Sequence, residues 1–75
     1  MANINEFEEI RGICTEYLKS FKIEDFDIVF ATRINGHWKV IVRYSKPSDP
    51  DVTSLLLINW DTKKVDTFRE RILSF

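Results

Sequence analysis

The clearest pattern along the chain is helical. Across residues 4–21 the apolar positions Ile4, Phe7, Ile10, Cys14, Tyr17, Leu18 and Phe21 recur at three- and four-residue spacing, with Ile13 at one margin. Glu8, Glu9, Gly12, Thr15, Glu16 and Lys19 fall on the other side. At about 100° per residue this predicts an amphipathic helix with one face to bury. Asn3 followed by Glu6 has the form of a capping box, and the acids of the first turns suit the positive end of the helix dipole. Gly12, in mid-helix on the polar side, costs about 1 kcal/mol relative to Ala.

Beyond residue 25 the pattern becomes strand-like around Asn35-Gly36, a strong hairpin signal. A two-residue turn would set Phe30 opposite Ile41 and Ile28 opposite Arg43, scattering apolar side chains over both faces. A three-residue loop, Ile34-Asn35-Gly36 with Gly36 left-handed at a bulge, pairs Thr32 with Trp38, Phe30 with Val40, Ile28 with Val42 and Phe26 with Tyr44. The second register gathers like with like and is the one expected. Its other face holds Asp27, Val29, Ala31 and Arg33 against His37, Lys39, Ile41 and Arg43, with Asp27 and Arg43 as a cross-strand charge pair.

Residues 45–51 contain both prolines and predict a surface loop, because proline cannot donate to a ladder. Residues 52–60 are apolar on both parities, which predicts a strand covered on both sides or touching another chain. A turn follows at residues 61–64. Thr67 and Glu70 repeat the capping-box form, and Phe68, Ile72 and Phe75 stand at i, i+4 and i+7, predicting a short terminal helix; a fourth strand from Lys64 to about Arg69 is the alternative. The fold expected is a single α+β domain over residues 1–75. Its two layers are an N-terminal helix on a three-stranded antiparallel meander and a short C-terminal helix, αβββα, with αββββ as the alternative.

A chain of 75 residues supports one core. Its ten aromatic residues supply large areas for burial and argue against disorder. A single cysteine, Cys14, and a single histidine, His37, exclude an internal disulfide and an ordinary zinc site. The acidic N-terminal stretch does not resemble a secretory signal and no apolar run is long enough to span a membrane, so a cytoplasmic location is expected. The absence of Gln alongside plentiful Lys, Arg, Glu and Asp is compatible with a thermophilic source.

Net charge is −1, which gives no bulk attraction to nucleic acid or anionic lipid. The distribution is uneven: residues 1–30 carry seven acids and three bases, residues 31–75 eight bases and five acids.

Candidate chemistry is sparse. His37 lies beside a turn with no nucleophile or paired carboxylate near it in sequence, and Cys14 sits at the centre of the apolar helix face, where a thiol packs as a small hydrophobe. Ser48, Asp49 and Asp51 resemble part of a calcium loop without its glycine or its distal glutamate. No phosphate-binding glycine motif or zinc-protease spacing occurs. The expectation is a non-enzymatic domain without cofactor, metal or small-molecule substrate. It would bind a protein partner, most readily a second copy of itself, through Val29, Arg33, His37, Lys39, Ile41 and Arg43 with the edge of the strand holding Leu55 and Leu57. The alternative is single-stranded nucleic acid bound on the same basic face; that mode calls for stacking aromatics, and Trp38 and Tyr44 are expected to point the other way.

From Gly36 onward the chain resembles the gas vesicle protein O family and the wider set of small helix-then-meander modules that includes PepSY-like domains. The residues that carry the likeness are Gly36 with Trp38 opening the run Trp38-Lys39-Val40-Ile41-Val42, then Pro50-Asp51-Val52, and Asp61 at a turn before Arg69-Glu70-Arg71. Trp38 stands one residue later than in that family, and Lys64 occupies a place where PepSY-like turns carry glycine. The resemblance implies an accessory or regulatory interaction domain with no catalytic residues.

Overall fold

The computed structural model describes residues 4–72 and contains one helix followed by a four-stranded antiparallel meander: α1 (Ile4–Lys19), β1 (Asp27–Ile34), β2 (His37–Lys46), β3 (Asp49–Asn59) and β4 (Lys64–Glu70). Strand order is β1-β2-β3-β4, so β1 and β4 are the edges. The Asn3 capping position lies outside the described residues.

The helix buries Ile10, Cys14 and Leu18, with Ile13 and Tyr17 packed at the margin of the same cluster. It stops earlier than the apolar spacing suggests, and the reason is local. Lys22 takes a left-handed conformation (φ 65°). Its N–H donates to the Lys19 carbonyl at 2.9 Å and the Ile23 N–H to the Leu18 carbonyl at 3.0 Å, a Schellman closure that brings buried Ile23 against buried Leu18. Phe21 is thereby released from the helix face. It stacks on Phe68 of β4 with ring centroids 5.5 Å apart, while Tyr17 meets Phe68 edge-on at 5.5 Å.

Beneath the helix, the inward row of β2 is Trp38, Val40, Val42 and Tyr44, and that of β3 is Val52, Ser54, Leu56 and Ile58; all are buried. Ser54 is the one polar member. The Tyr44 hydroxyl donates to Glu70 at 2.6 Å, so the Ser54 hydroxyl, 2.9 Å away, donates to the Tyr44 oxygen. Glu70 also receives Lys46 at 2.7 Å and Arg71 at 2.9 Å. Burial, followed by the hydrogen bond to Glu70, pushes the Tyr44 phenol up to about 12, and Lys46, followed by Tyr44, holds the Glu70 carboxyl below its usual range.

Three expectations are corrected. The described residues contain no terminal helix; residues 64–70 form β4, the strand that stood as the alternative. A helix of about two turns is marginal on its own, whereas the same residues as a strand satisfy the open edge of β3 and place Phe68 opposite Leu56 on the core side. Ile72 extends the pairing, its N–H donating to the Thr53 carbonyl at 2.9 Å. Phe75, the last residue of the expected helix, lies outside the described residues.

The proline segment is a tight turn rather than a loop. Lys46 pairs with Asp49, and a register shift between Tyr44 and Lys46 takes up the extra residue around Pro50, where no N–H is needed. Ser45 Oγ donates to the Pro50 carbonyl at 2.7 Å, closing the gap.

The first hairpin uses the two-residue turn. Asn35 (φ 44°) and Gly36 (φ 79°) are both left-handed, and Ile34 pairs with His37. Phe30 then faces Ile41 and Ala31 faces Val40. A bulge at Val29 shifts the register, so Ile28 faces Val42 and Asp27 faces Arg43 as expected. One inserted residue thus returns Ile28 to the helix side, while Phe30 stays opposite Ile41 on the other face.

Candidate functional site

The sheet face away from the helix has no covering element among the described residues. Alternation along the paired strands assigns it Phe30, Thr32 and Ile34 from β1, His37, Lys39, Ile41 and Arg43 from β2, and Thr53, Leu55 and Leu57 from β3. Trp38 and Val40 point inward and Lys39 and Arg43 outward, as the sequence pattern requires of β2.

The predicted residues are only partly brought together. Lys39, Leu55 and Leu57 are half-buried on this face, and Arg43 is exposed, its Nε 3.0 Å from Asp51 rather than engaged with Asp27. Ile41 lies on the face but has 0% exposure, with Phe30 and Leu55 as its cross-strand neighbours. It packs the face and offers no surface to a visitor. Arg33 pairs with Trp38 and so belongs to the helix-side row, a consequence of the two-residue turn. Val29 is the bulge residue and is exposed. The strand holding Leu55 and Leu57 is central, paired on both sides, and has no free edge.

Phe30, Ile34 and Phe7 lie outside the expected contact set, yet with Val29 and Phe21 they make up the exposed large apolar side chains among the described residues. Phe7, Val29, Phe30 and Ile34 are 44%, 44%, 44% and 46% exposed. Phe7 and Val29 line one hollow of about 240 Å³ with Ile10, Ile28, Phe30, Ala31 and Trp38, so the helix patch and the β1 patch are continuous. The sequence signal for Phe30 and Ile34 was Asn-Gly itself: a turn with both residues left-handed puts even-numbered β1 residues outward from Phe30 onward.

At the turn end of the open face, His37 Nε2 lies 2.8 Å from Asp66, whose carboxylate also receives Asn59 Nδ2 at 3.4 Å. The hydrogen bond to Asp66 raises the imidazole above its ordinary 6.5, with a smaller contribution from the Asn35 backbone, and the same contact lowers Asp66. An imidazole held this way is a surface ion-pair donor. Cys14 is fully enclosed, and burial pushes its thiol up to about 12, far from a nucleophile. Among the described residues no group of three or more His, Cys, Asp or Glu side chains is placed to hold a metal ion, and no helix is long and apolar enough to cross a membrane.

No protein-family model matches the chain, and neither does any curated protein or solved structure.

Proposed function

We propose that this chain is a non-catalytic interaction module that docks on protein through the β1 side of its sheet. One observation carries the reading. Among the described residues the exposed large apolar side chains are Phe7, Phe21, Val29, Phe30 and Ile34, and all but Phe21 lie on β1 or line the hollow beside it. Scattered apolar residues are ordinary on a surface, but a contiguous group beside an unpaired strand edge is the composition of a contact patch. Half-buried Leu55 and Leu57 extend it over the open face. The likeness to gas vesicle protein O and PepSY-like modules supports the same reading, an accessory domain that acts by association.

The test is photo-crosslinking in cells that produce the protein. A photoreactive residue at Val29 or Ile34 is expected to give protein adducts, and one at Glu16 on the exposed side of α1 none. Equal labelling at all three positions, or none at any, would defeat the reading.

A second reading has a specific observation behind it. Phe30 shares the open face with Lys39 and Arg43, which supplies an aromatic to a basic surface suited to single-stranded nucleic acid. Ion pairing of Arg43 with Asp51 and of His37 with Asp66 weakens that field. Binding of labelled oligonucleotides at low salt, weakened by Lys39→Ala and by Phe30→Ala, would favour this reading; no shift at low salt would remove it.

A further inference from the structure

The two edges of the sheet are built differently. In its seven residues β4 carries Lys64, Asp66, Arg69 and Glu70, with a register shift beside Asp66, the features that keep an edge from pairing. In its eight residues β1 carries two charges, Asp27 and Arg33, and its bulge at Val29 leaves residues 30–34 as a regular, proline-free stretch.

We infer that β1 pairs antiparallel with β1 of a second copy, in a register centred on Thr32, giving a continuous eight-stranded sheet. This rests on the interaction-module reading and names the partner.

The hydrogen-bonding pattern admits this register. Ile34 and His37 flank a two-residue turn and form a hydrogen-bonded pair, so alternation turns the N–H and C=O of Thr32 and Phe30 toward β2 and those of Ala31 and Arg33 toward the free edge. A two-fold axis at Thr32 sets Ala31 opposite the second copy's Arg33, and Arg33 opposite its Ala31. The edge-facing groups of each strand then find partners on the other.

The side chains agree independently. The same axis brings Phe30 beside Ile34 of the other copy, twice, on the open face, and these are two of the exposed apolar side chains. Thr32 meets its own counterpart on the axis, a favourable cross-strand pair. A shift by one residue would set open-face residues against helix-side ones, because the face alternates strictly over residues 30–34. Net charge of −1 leaves little repulsion between copies. A contact of five residues per strand falls at the small end of specific interfaces, so dissociation constants on the order of micromolar are expected.

The experiment is disulfide trapping at micromolar concentration under mild oxidation. Thr32→Cys is expected to form a covalent dimer in high yield, since directly opposed residues meet the spacing a disulfide requires. Arg33→Cys and Arg43→Cys are expected to remain monomeric, and enclosed Cys14 contributes no background. Phe30→Asp should weaken dimerisation of the otherwise unaltered chain about tenfold or more in sedimentation equilibrium, by burying a charge between two apolar surfaces. A folded Thr32→Cys protein that stays monomeric, or trapping that is equal at positions 32, 33 and 43, overturns the pairing. If Thr32→Cys fails while Val29 and Ile34 still crosslink to a different protein, self-pairing falls and the module reading stands; if neither position nor the disulfide reports a contact, both fall.

Discussion

Both faces of the sheet carry leucines from β3, and their fates are opposite. Leu56 and Leu57 are adjacent in β3, yet Leu56 is fully enclosed under α1 and Leu57 is half-open on the other side. What separates them is a single helix laid on one face. Burial here is a property of the layer arrangement and not of the residue type: the apolar run on both parities predicts a strand covered on both sides or touching another chain, and among the described residues only one face of β3 is covered.

The comparison predicts a large difference between neighbours. Leu56→Ala should cost about 2 to 5 kcal/mol in denaturant unfolding, the transfer term plus a cavity, whereas Leu57→Ala should cost about 1 kcal/mol. Equal losses would mean that the open face is covered in solution. Ile41 sharpens the contrast, because it lies on the open face and is nevertheless enclosed. Ile41→Ala should cost about 2 kcal/mol, nearer to Leu56 than to Leu57, and a loss below that of Leu57→Ala would show its enclosure to be unimportant.

Smaller effects concern the helix that creates the difference. A Cβ added at Gly12 meets no atom within 4 Å, so Gly12→Ala should stabilise by about 1 kcal/mol through helix propensity alone. Lys22→Gly should stabilise by a few tenths up to about 1 kcal/mol, by relieving a left-handed lysine at the helix end. No gain in thermal midpoint from either would contradict the assigned backbone.

The smallest effect is a pH dependence confined to the open face. His37 is raised in the folded protein, so its contribution is complete below its ordinary value of 6.5 and fades as pH rises through the higher folded value. Asp66 is lowered, so its contribution is present above its ordinary 3.8 and is lost as pH falls through the lower folded value. The gap in stability between the parent and His37→Gln should therefore be widest between those two ordinary values and narrow in mild alkali. A gap that does not change with pH would show the pair to contribute nothing.

Legibility followed the range of the interactions involved. The helix and the burial of Ile10, Cys14 and Leu18 could be read directly, since i, i+3 and i+4 contacts are local, whereas Phe7 and Phe21 at the same spacing are exposed. Asn35-Gly36 announces a hairpin, but grouping apolar residues on one face favours a three-residue loop; the bulge at Val29 meets that preference for Ile28 without one. The three-residue loop misplaces Arg33 and hides Phe30 and Ile34. Residues 64–70 left two readings open, and the strand is the one that holds. Their capping-box form is a true local preference, overridden because β3 leaves an edge that a strand can complete.

The sequence by itself determined an amphipathic N-terminal helix, a turn at Asn35-Gly36, and the inward parity of Trp38, Val40, Val42 and Tyr44, because each depends on residues a few positions apart. Tertiary structure alone decided that residues 64–70 are a strand, that Ile41 is enclosed, and that the exposed apolar side chains collect beside β1. Those outcomes depend on which backbone edges and which sheet face remain unsatisfied once the helix and three strands are in place, and that is a property of the assembled layers.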